Sequence, residues 1–452
     1  MSSPAQSELV IRGAQVVSMD PNIGDLPRGD IHIRDGQIVA VGSDLTVDGV
    51  TGIAGGGLIA IPGLVDTHWH LWNSIFRIAL GDGGVRGYFM MKEKLGPHYR
   101  PEDTYRAVRF SLLEALSAGV TTVHDWAHNY LGPDDADAIL EAHASIPLRA
   151  RYSPGAPSTT PGLPLAQMAP IMERYGHPVD KPMDYAGVER LIGTVAGAAD
   201  ALVTLGVNLR GPLRSPREVY VEEWAFARAH DLPISMHCGG SQKEVALLRE
   251  VEVLEADGLL GPDVLLCHGG QWTDGEIATI GARGVSVAIS PVGELMSGWG
   301  VARIRELHEL GVSVGLSFDT TGFGAANMFA VMQAAVNAEN SRLADGAGLT
   351  VQRALEMATI EGARVLKLDD RIGSITPGKR ADIVLIRSTD LNTALFGDPA
   401  MALVFACHPG NVETVIVDGR VLKRDGELVG VDPAKVVQDA SDAYADLVVR
   451  AG

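Results

Sequence analysis

The alternation of apolar and polar positions divides the chain into two β-rich ends and a long middle in which short apolar runs alternate with helical stretches. Near the start, residues 9–17, 30–34 and 37–42 read as strands, and Asp35-Gly36 between the last two is a hairpin signal. The same grammar returns at 381–386 and 412–422, with a second Asp-Gly turn at Asp418-Gly419. The simplest organisation pairs the two ends, 1–61 and 374–430, into one composite β-sandwich. Over 431–452, Asp432-Pro433 supplies an N-cap and first turn. Val436, Val437, Ala440, Ala443, Tyr444, Leu447 and Val448 then recur at helical spacing, which predicts a terminal helix docked on the body.

Between 62 and 373 eight apolar runs are strand candidates: 63–70, 119–126, 148–154, 206–210, 233–238, 264–269, 285–290 and 312–318. Eight strand-helix units predict an α/β fold, a (β/α)8 TIM-like barrel, whose chemistry belongs in the loops at the C-terminal strand ends.

Composition narrows the partners. At 452 residues, 46% apolar and 21% charged, the chain can bury one large barrel and a smaller appendage. A formal net charge of −19 argues against nucleic acid or an anionic membrane surface and leaves a small-molecule substrate. Cys238, Cys267 and Cys407 form no CxxC pair, so neither a disulfide framework nor a thiolate zinc site is encoded, and a reducing cytoplasm fits. Met1 to Glu8 has no basic and apolar leader pattern, and no uncharged apolar run reaches ~18 residues. The chain reads as soluble and unprocessed.

The polar residues that end the strand candidates carry the chemistry. The first ends in His68-Trp69-His70, and in an extended strand residues i and i+2 share a side, so both imidazoles can face one metal ion. The fifth ends in His237, the sixth in His268 and the eighth in Asp319. Each alone reads as a satisfied structural residue; together they would ring one barrel mouth. His124 and His128 lie on or beside the second strand, and a histidine there could serve as an acid near neutral pH or as a core residue bonded to backbone. The other histidines fall in helices, turns or the sandwich and read as structural.

This pattern resembles the amidohydrolase superfamily, in particular its cytosine deaminase and triazine hydrolase branch. The resemblance runs through Pro62 to His70, Ala118 to Val123, Ala358 to Leu366 and Gly373 to Ile383. It implies one divalent metal, with zinc favoured over iron, manganese or cobalt, and a metal-bound water as nucleophile. Carried over by position, His68, His70, His237 and Asp319 would hold the metal. His268 would contact the water or polarise the substrate, and Asp319 would also act as general base. No lysine ends the fourth strand candidate, which favours a single metal. The family also implies a homo-oligomer.

The chain departs from the deaminase pattern at Gly240, where a proton-shuttling Glu would stand three residues after His237. Glu244, a helical turn further on, is expected to face elsewhere. Hydrolysis of an amide, urea or carbamate-like C–N bond is therefore the main expectation. The alternative is a deaminase or dechlorinase of a nitrogen heterocycle with its shuttle moved to His124 or His128; a non-catalytic metal-binding barrel is the reading from another class. Trp72, His124 and His128 are candidate substrate contacts. Leu71 to Arg77 and Tyr88 to Met91 would wall an apolar pocket, and the proline-rich stretch 153–184 would cover it.

Overall fold

Strand Leu58–Pro62 joins the two ends of the chain. In the computed structural model, which describes residues 8–81, 86–156, 182–195 and 201–452, it pairs with Glu8–Val16 on one side and antiparallel with Ile383–Arg387 on the other. The result is a nine-stranded sheet that runs outward to Gln37–Gly42 at one edge and Glu427–Leu428 at the other. Alternate residues of Ile383–Arg387 serve different cores. Ile383 and Leu385 pack with Ile11, Ile31 and Ile33 inside the sandwich, whereas Val384 and Ile386 belong to the large core shared with the barrel. Burial on both faces accounts for an apolar run in a sheet that would otherwise alternate.

The middle of the chain forms the barrel. Its strands are Leu64–Trp69, Val120–Ala127, Arg149–Pro154, Val203–Leu209 with a break at Gly206, Ile234–Cys238, Val264–His268, Ser286–Ile289 and Val314–Leu316. Neighbours are parallel throughout. The fourth strand changes partner at Gly206: Val203–Leu205 pairs with the third strand and Val207–Leu209 with the fifth. The sequence predicts this strand at 206–210, and the structure starts it three residues earlier, at Val203. The ring closes between the first and eighth strands, where Asp319 N–H donates to the His68 carbonyl (2.9 Å) and His70 N–H to the Asp319 carbonyl (2.7 Å).

Polar anchors join the barrel floor to the sandwich. Arg149 on the third strand grips Asp382 through Nε and Nη2 at 2.9 and 3.2 Å and reaches Asp418 at 3.3 Å. Gly63 must be glycine because a Cβ there would lie 1.9 Å from Thr121 Oγ1 on the second strand.

The terminal helix, Pro433–Ala451, is capped by Asp432 Oδ1, which accepts from the Ala434 and Lys435 amides at 3.0 and 3.3 Å. It buries Val436, Ala440, Ala443 and Leu447 against helix Pro101–Ser117, and Arg450 pairs with Asp103. Val437, expected on the docked face, points outward instead. Among the described residues no helix is long and apolar enough to cross a membrane. Most of the expected cover, 157–181, lies outside the described residues.

Candidate metal centre and cavity

Three strand ends bring four side chains to one point. His237 Nε2 lies 3.2 Å from His68 Nε2 and 3.3 Å from His70 Nε2, while Asp319 Oδ1 lies 3.4 and 3.3 Å from those same two nitrogens. All four ligand atoms fall within 4.8 Å of one another. Three imidazole nitrogens meeting this closely cannot all be hydrogen-bonded to each other, because each ring nitrogen either donates or accepts. A tetrahedral ion with bonds of ~2.0–2.1 Å needs ligand atoms about 3.3 Å apart, which these spacings match. The surroundings fix the ring orientations. His70 Nδ1–H donates to the Trp126 carbonyl (3.0 Å), which leaves Nε2 as a lone pair for the centre, and His68 Nδ1 lies 3.4 Å from Cys267 Sγ. The donor set therefore fits one divalent ion.

Asp66, which no sequence motif singles out, holds the first and eighth strands in step. Fully buried, its Oδ1 accepts from His68 N–H (3.1 Å) and its Oδ2 from Phe318 N–H (2.7 Å), one residue before Asp319. Burial pushes its carboxyl well above the ordinary range. Two residues at the mouth depart from ordinary backbone: His268 at φ 84° and Asp319 at φ 59°. Left-handed geometry at non-glycine residues costs about 1–3 kcal/mol and persists where neighbours over-determine it. Here the bonds of Asp319 to the first strand do so, as does Glu294, whose Oε1 accepts from Ser290 N–H (2.8 Å) and lies 3.1 Å from His268 Nδ1.

Charge is divided across the mouth. Burial works against a charged His268, yet the hydrogen bond to Glu294 and the field of Asp319 raise it above its ordinary value. Burial alone would raise Asp319, but the imidazoles of His68 and His70 against it hold its carboxyl well below the usual range. Burial pulls His68 down to about 3 and His237 well below its ordinary value, so both rings are neutral, the form that can ligate a metal. His268 stacks on His237, with ring centroids 5.3 Å apart and planes 5° apart.

His70, His237, His268 and Asp319 line a cavity of about 560 Å³. Tyr88, Phe89, Trp126, Trp299 and Phe323 wall it with aromatic surface, and Lys92, His128, Arg210, Arg214 and Glu244 add polar groups.

Several expectations need correction. His124 does not reach the cavity; it sits two residues before Trp126 on the second strand, one layer deeper, with Nδ1 on the Thr67 carbonyl and Nε2 on Ser153 Oγ, both at 2.9 Å. Trp72 is buried beside Phe76 and Tyr99 and touches the site only through Nε1–H donating to His128 Nδ1 at 3.4 Å. His128 lines the cavity, and burial pushes it well below its ordinary value. Leu71–Ile78 is a 3₁₀ helix turned into the core, and Met91 is buried there as well, so Tyr88 and Phe89 wall the pocket without them.

Glu244 is the largest departure. Gly239 takes φ +66° and the helix begins only at Gln242, with Ser241 as N-cap. Glu244 is then the third residue of a capping box: its amide donates to Ser241 Oγ and its Oε2 accepts from Ser241 N–H, both at 3.2 Å. The carboxylate is folded back to the mouth, where Oε2 lies 3.5 Å from the position a Cβ on Gly240 would take. Burial pushes Glu244 up, and the ion pair with Arg214 outweighs it and keeps the carboxylate below its ordinary pKa. Ser-x-x-Glu was the sequence signal for this turn.

Comparison with known proteins places the chain among related enzymes. The family model described as "Amidohydrolase family" matches residues 59–422. A 5'-deoxyadenosine deaminase of Methanosarcina mazei is 26% identical over 98% of this chain and 99% of its own length. Among solved structures, an adenosine deaminase from Xanthomonas campestris with bound zinc superposes with a TM-score of 0.84 at 22% identity, over 99% of this chain and 100% of that one. A triazine hydrolase variant does so at 0.83 and 24%, over 97% and 99%.

Proposed function

The chain belongs to the amidohydrolase family, and from that premise we propose a mononuclear metal-dependent hydrolase that breaks a C–N bond of a small, partly apolar molecule. The observation that carries this is the convergence of three histidines and an aspartate, their ligand atoms within 4.8 Å of one another, at a cavity walled in part by aromatic rings. His68, His70, His237 and Asp319 would hold the ion, zinc by preference, one per chain. Such an ion supplies Lewis acidity and lowers the pKa of a bound water. Asp319, kept ionised, takes a proton from the attacking water and passes it to the leaving nitrogen. His268, fixed by Glu294, donates a hydrogen bond to the electrophile as negative charge develops there. The aromatic walls orient the apolar part of the substrate and exclude water.

An amide, urea or carbamate-like carbon suits this machinery without protonation of a ring. The second reading, deamination or dechlorination of a nitrogen heterocycle, is favoured by Glu244, whose carboxylate stands beside the space left by Gly240 and could carry the proton that the main reading lacks. The deaminase relative supports it as well. We place the protein in the cytoplasm, a reading supported by three buried, unpaired cysteines, and expect a homo-oligomer, supported by the exposed Leu391, Leu395 and Phe396.

Elemental analysis of protein purified without chelator, run beside a panel of ureas, carbamates, anilides and aminated or chlorinated heterocycles, tests the proposal. About one metal per chain with turnover is expected, and metal without turnover on any panel member would revive a non-catalytic barrel. His237→Ala should lose metal and activity together, whereas His268→Ala should keep most of the metal and lose turnover. Glu244→Gln should spare acyl-type cleavage and abolish ring deamination, which separates the two readings.

A further inference from the structure

The cavity carries more positive charge than the proposed reaction uses. Lys92, Arg210 and Arg214 all line it, in a chain of formal net charge −19. Arg214 is answered by Glu244, and Lys92 Nζ lies 3.3 Å from Glu93. Arg210 is different. Buried just past the fourth barrel strand, it makes no ion pair in contact among the described residues, and the buried carboxylates of Glu223 and Glu93 act on it only at longer range. Its Nε and Nη2 both donate to a single carbonyl, that of Ala156, at 3.2 and 2.9 Å, and Nη1 has no protein acceptor among the described residues.

A buried guanidinium whose one hydrogen-bond acceptor is a neutral carbonyl is an expensive way to hold a loop, since a neutral amide could bond Ala156 as well. Burial pulls Arg210 down to about 9 and Lys92 to about 8, against the field of Glu93 on both, so desolvation opposes both charges. An anion entering the cavity would relieve that opposition. The shape of the site narrows the anion further. A guanidinium presents its donors in a planar fork that matches a carboxylate. Lys92 and Arg210 line the same cavity as His70 and His128, whose rings stand 4.0 Å apart.

We propose that Arg210, with Lys92 beside it, is a subsite for a carboxylate on the substrate. The substrate is then a small molecule with an apolar or aromatic body, a hydrolysable C–N bond held at the His–Asp cluster and a carboxylate held at Arg210. This deepens the hydrolase reading and rests on the cavity being its substrate site. A neutral molecule of the same shape leaves Arg210 unanswered and binds less well.

Equilibrium calorimetry on the zinc-loaded protein, with phenylacetate and 2-phenylethanol, which has no C–N bond to break, as probes, tests the subsite without reading turnover. Phenylacetate should bind at least about tenfold more tightly than the alcohol. Arg210→Met should abolish that preference, and His237→Ala should keep it. Equal binding of the two probes to wild type would overturn the proposal, as would a preference that survives Arg210→Met. A preference lost in His237→Ala would overturn it too, by putting the carboxylate on the metal. If Arg210→Met fails to fold, the wild-type and His237→Ala measurements still decide. Zinc binding is read in the same preparation: loss of zinc by wild type would sink the hydrolase reading, whereas absence of the carboxylate preference with zinc bound would sink only the subsite.

Discussion

Replacing Asp66 with alanine tests whether the candidate metal centre depends on the seam between the first and eighth barrel strands. Asp66 accepts from the amides of His68 and Phe318 at 3.1 and 2.7 Å, and it is fully buried. In Asp66→Ala both amides lose their acceptor in a site without solvent. A buried, unsatisfied donor costs about 1–3 kcal/mol, so the two together predict about 2–6 kcal/mol of lost stability. Asp66→Asn keeps one carbonyl oxygen but turns an NH₂ group toward the other amide, so it should recover only part of that loss. The seam also sets the spacing of His68 and Asp319, and residues that orient metal ligands typically control about 10- to 100-fold in affinity. Urea unfolding of the metal-free protein reads the first quantity, and zinc competition against a chromogenic chelator reads the second. An Asp66→Ala protein within about 0.5 kcal/mol of wild type and with unchanged zinc affinity would refute the reasoning, because both consequences follow from the same two bonds.

Two further outcomes are expected. Glu294→Gln removes the carboxylate at His268 Nδ1 while leaving the four-atom cluster alone; zinc content should hold and turnover of whichever panel substrate responds should fall about tenfold to a hundredfold, as measured by kcat/KM, and loss of zinc would contradict the separation of the two roles. Glu250, buried and raised by that burial from an ordinary 4.5 to about 8, binds a proton more firmly in the folded chain than in the unfolded one. Its contribution to stability is therefore fully present below about pH 4.5 and is lost as pH rises through about 8. Glu250→Gln, which keeps an acceptor for Leu213 N–H, should flatten that decline in melts recorded from pH 5 to 9, and an unchanged slope would count against it.

Much of this architecture is legible in the sequence because a barrel strand writes itself as a short apolar run with a polar stop. His68, His70, His237 and Asp319 are such stops, and the structure brings them together. What escapes is information about depth and return. His124 and Trp126 share one face of the second strand, but only Trp126 reaches the cavity; periodicity fixes the side of a strand and not its layer. Glu244 does not face elsewhere, as a helical turn beyond Gly240 suggests, because the helix starts only at Gln242 and its cap turns the carboxylate back. Asp66 and Glu294 also reach Phe318 N–H and His268 Nδ1, which come near them only when the barrel closes. No local pattern announces such partners.

The strand that joins the chain's ends also sets the order of events during synthesis. Ile61 pairs with Val384, 323 positions later, so Leu58–Pro62 leaves the ribosome long before its antiparallel neighbour exists. Until then it offers an open strand edge in a run of five consecutive apolar-type positions, Leu58-Ile59-Ala60-Ile61-Pro62, the kind of edge that recruits other chains. A nascent or C-terminally truncated chain therefore exposes an aggregation seed immediately before the first metal-site histidines. The last 70 or so residues, far from the chemistry, act as the sequestering partner for that edge, and production of this protein should depend on their arrival more than on any residue at the barrel mouth.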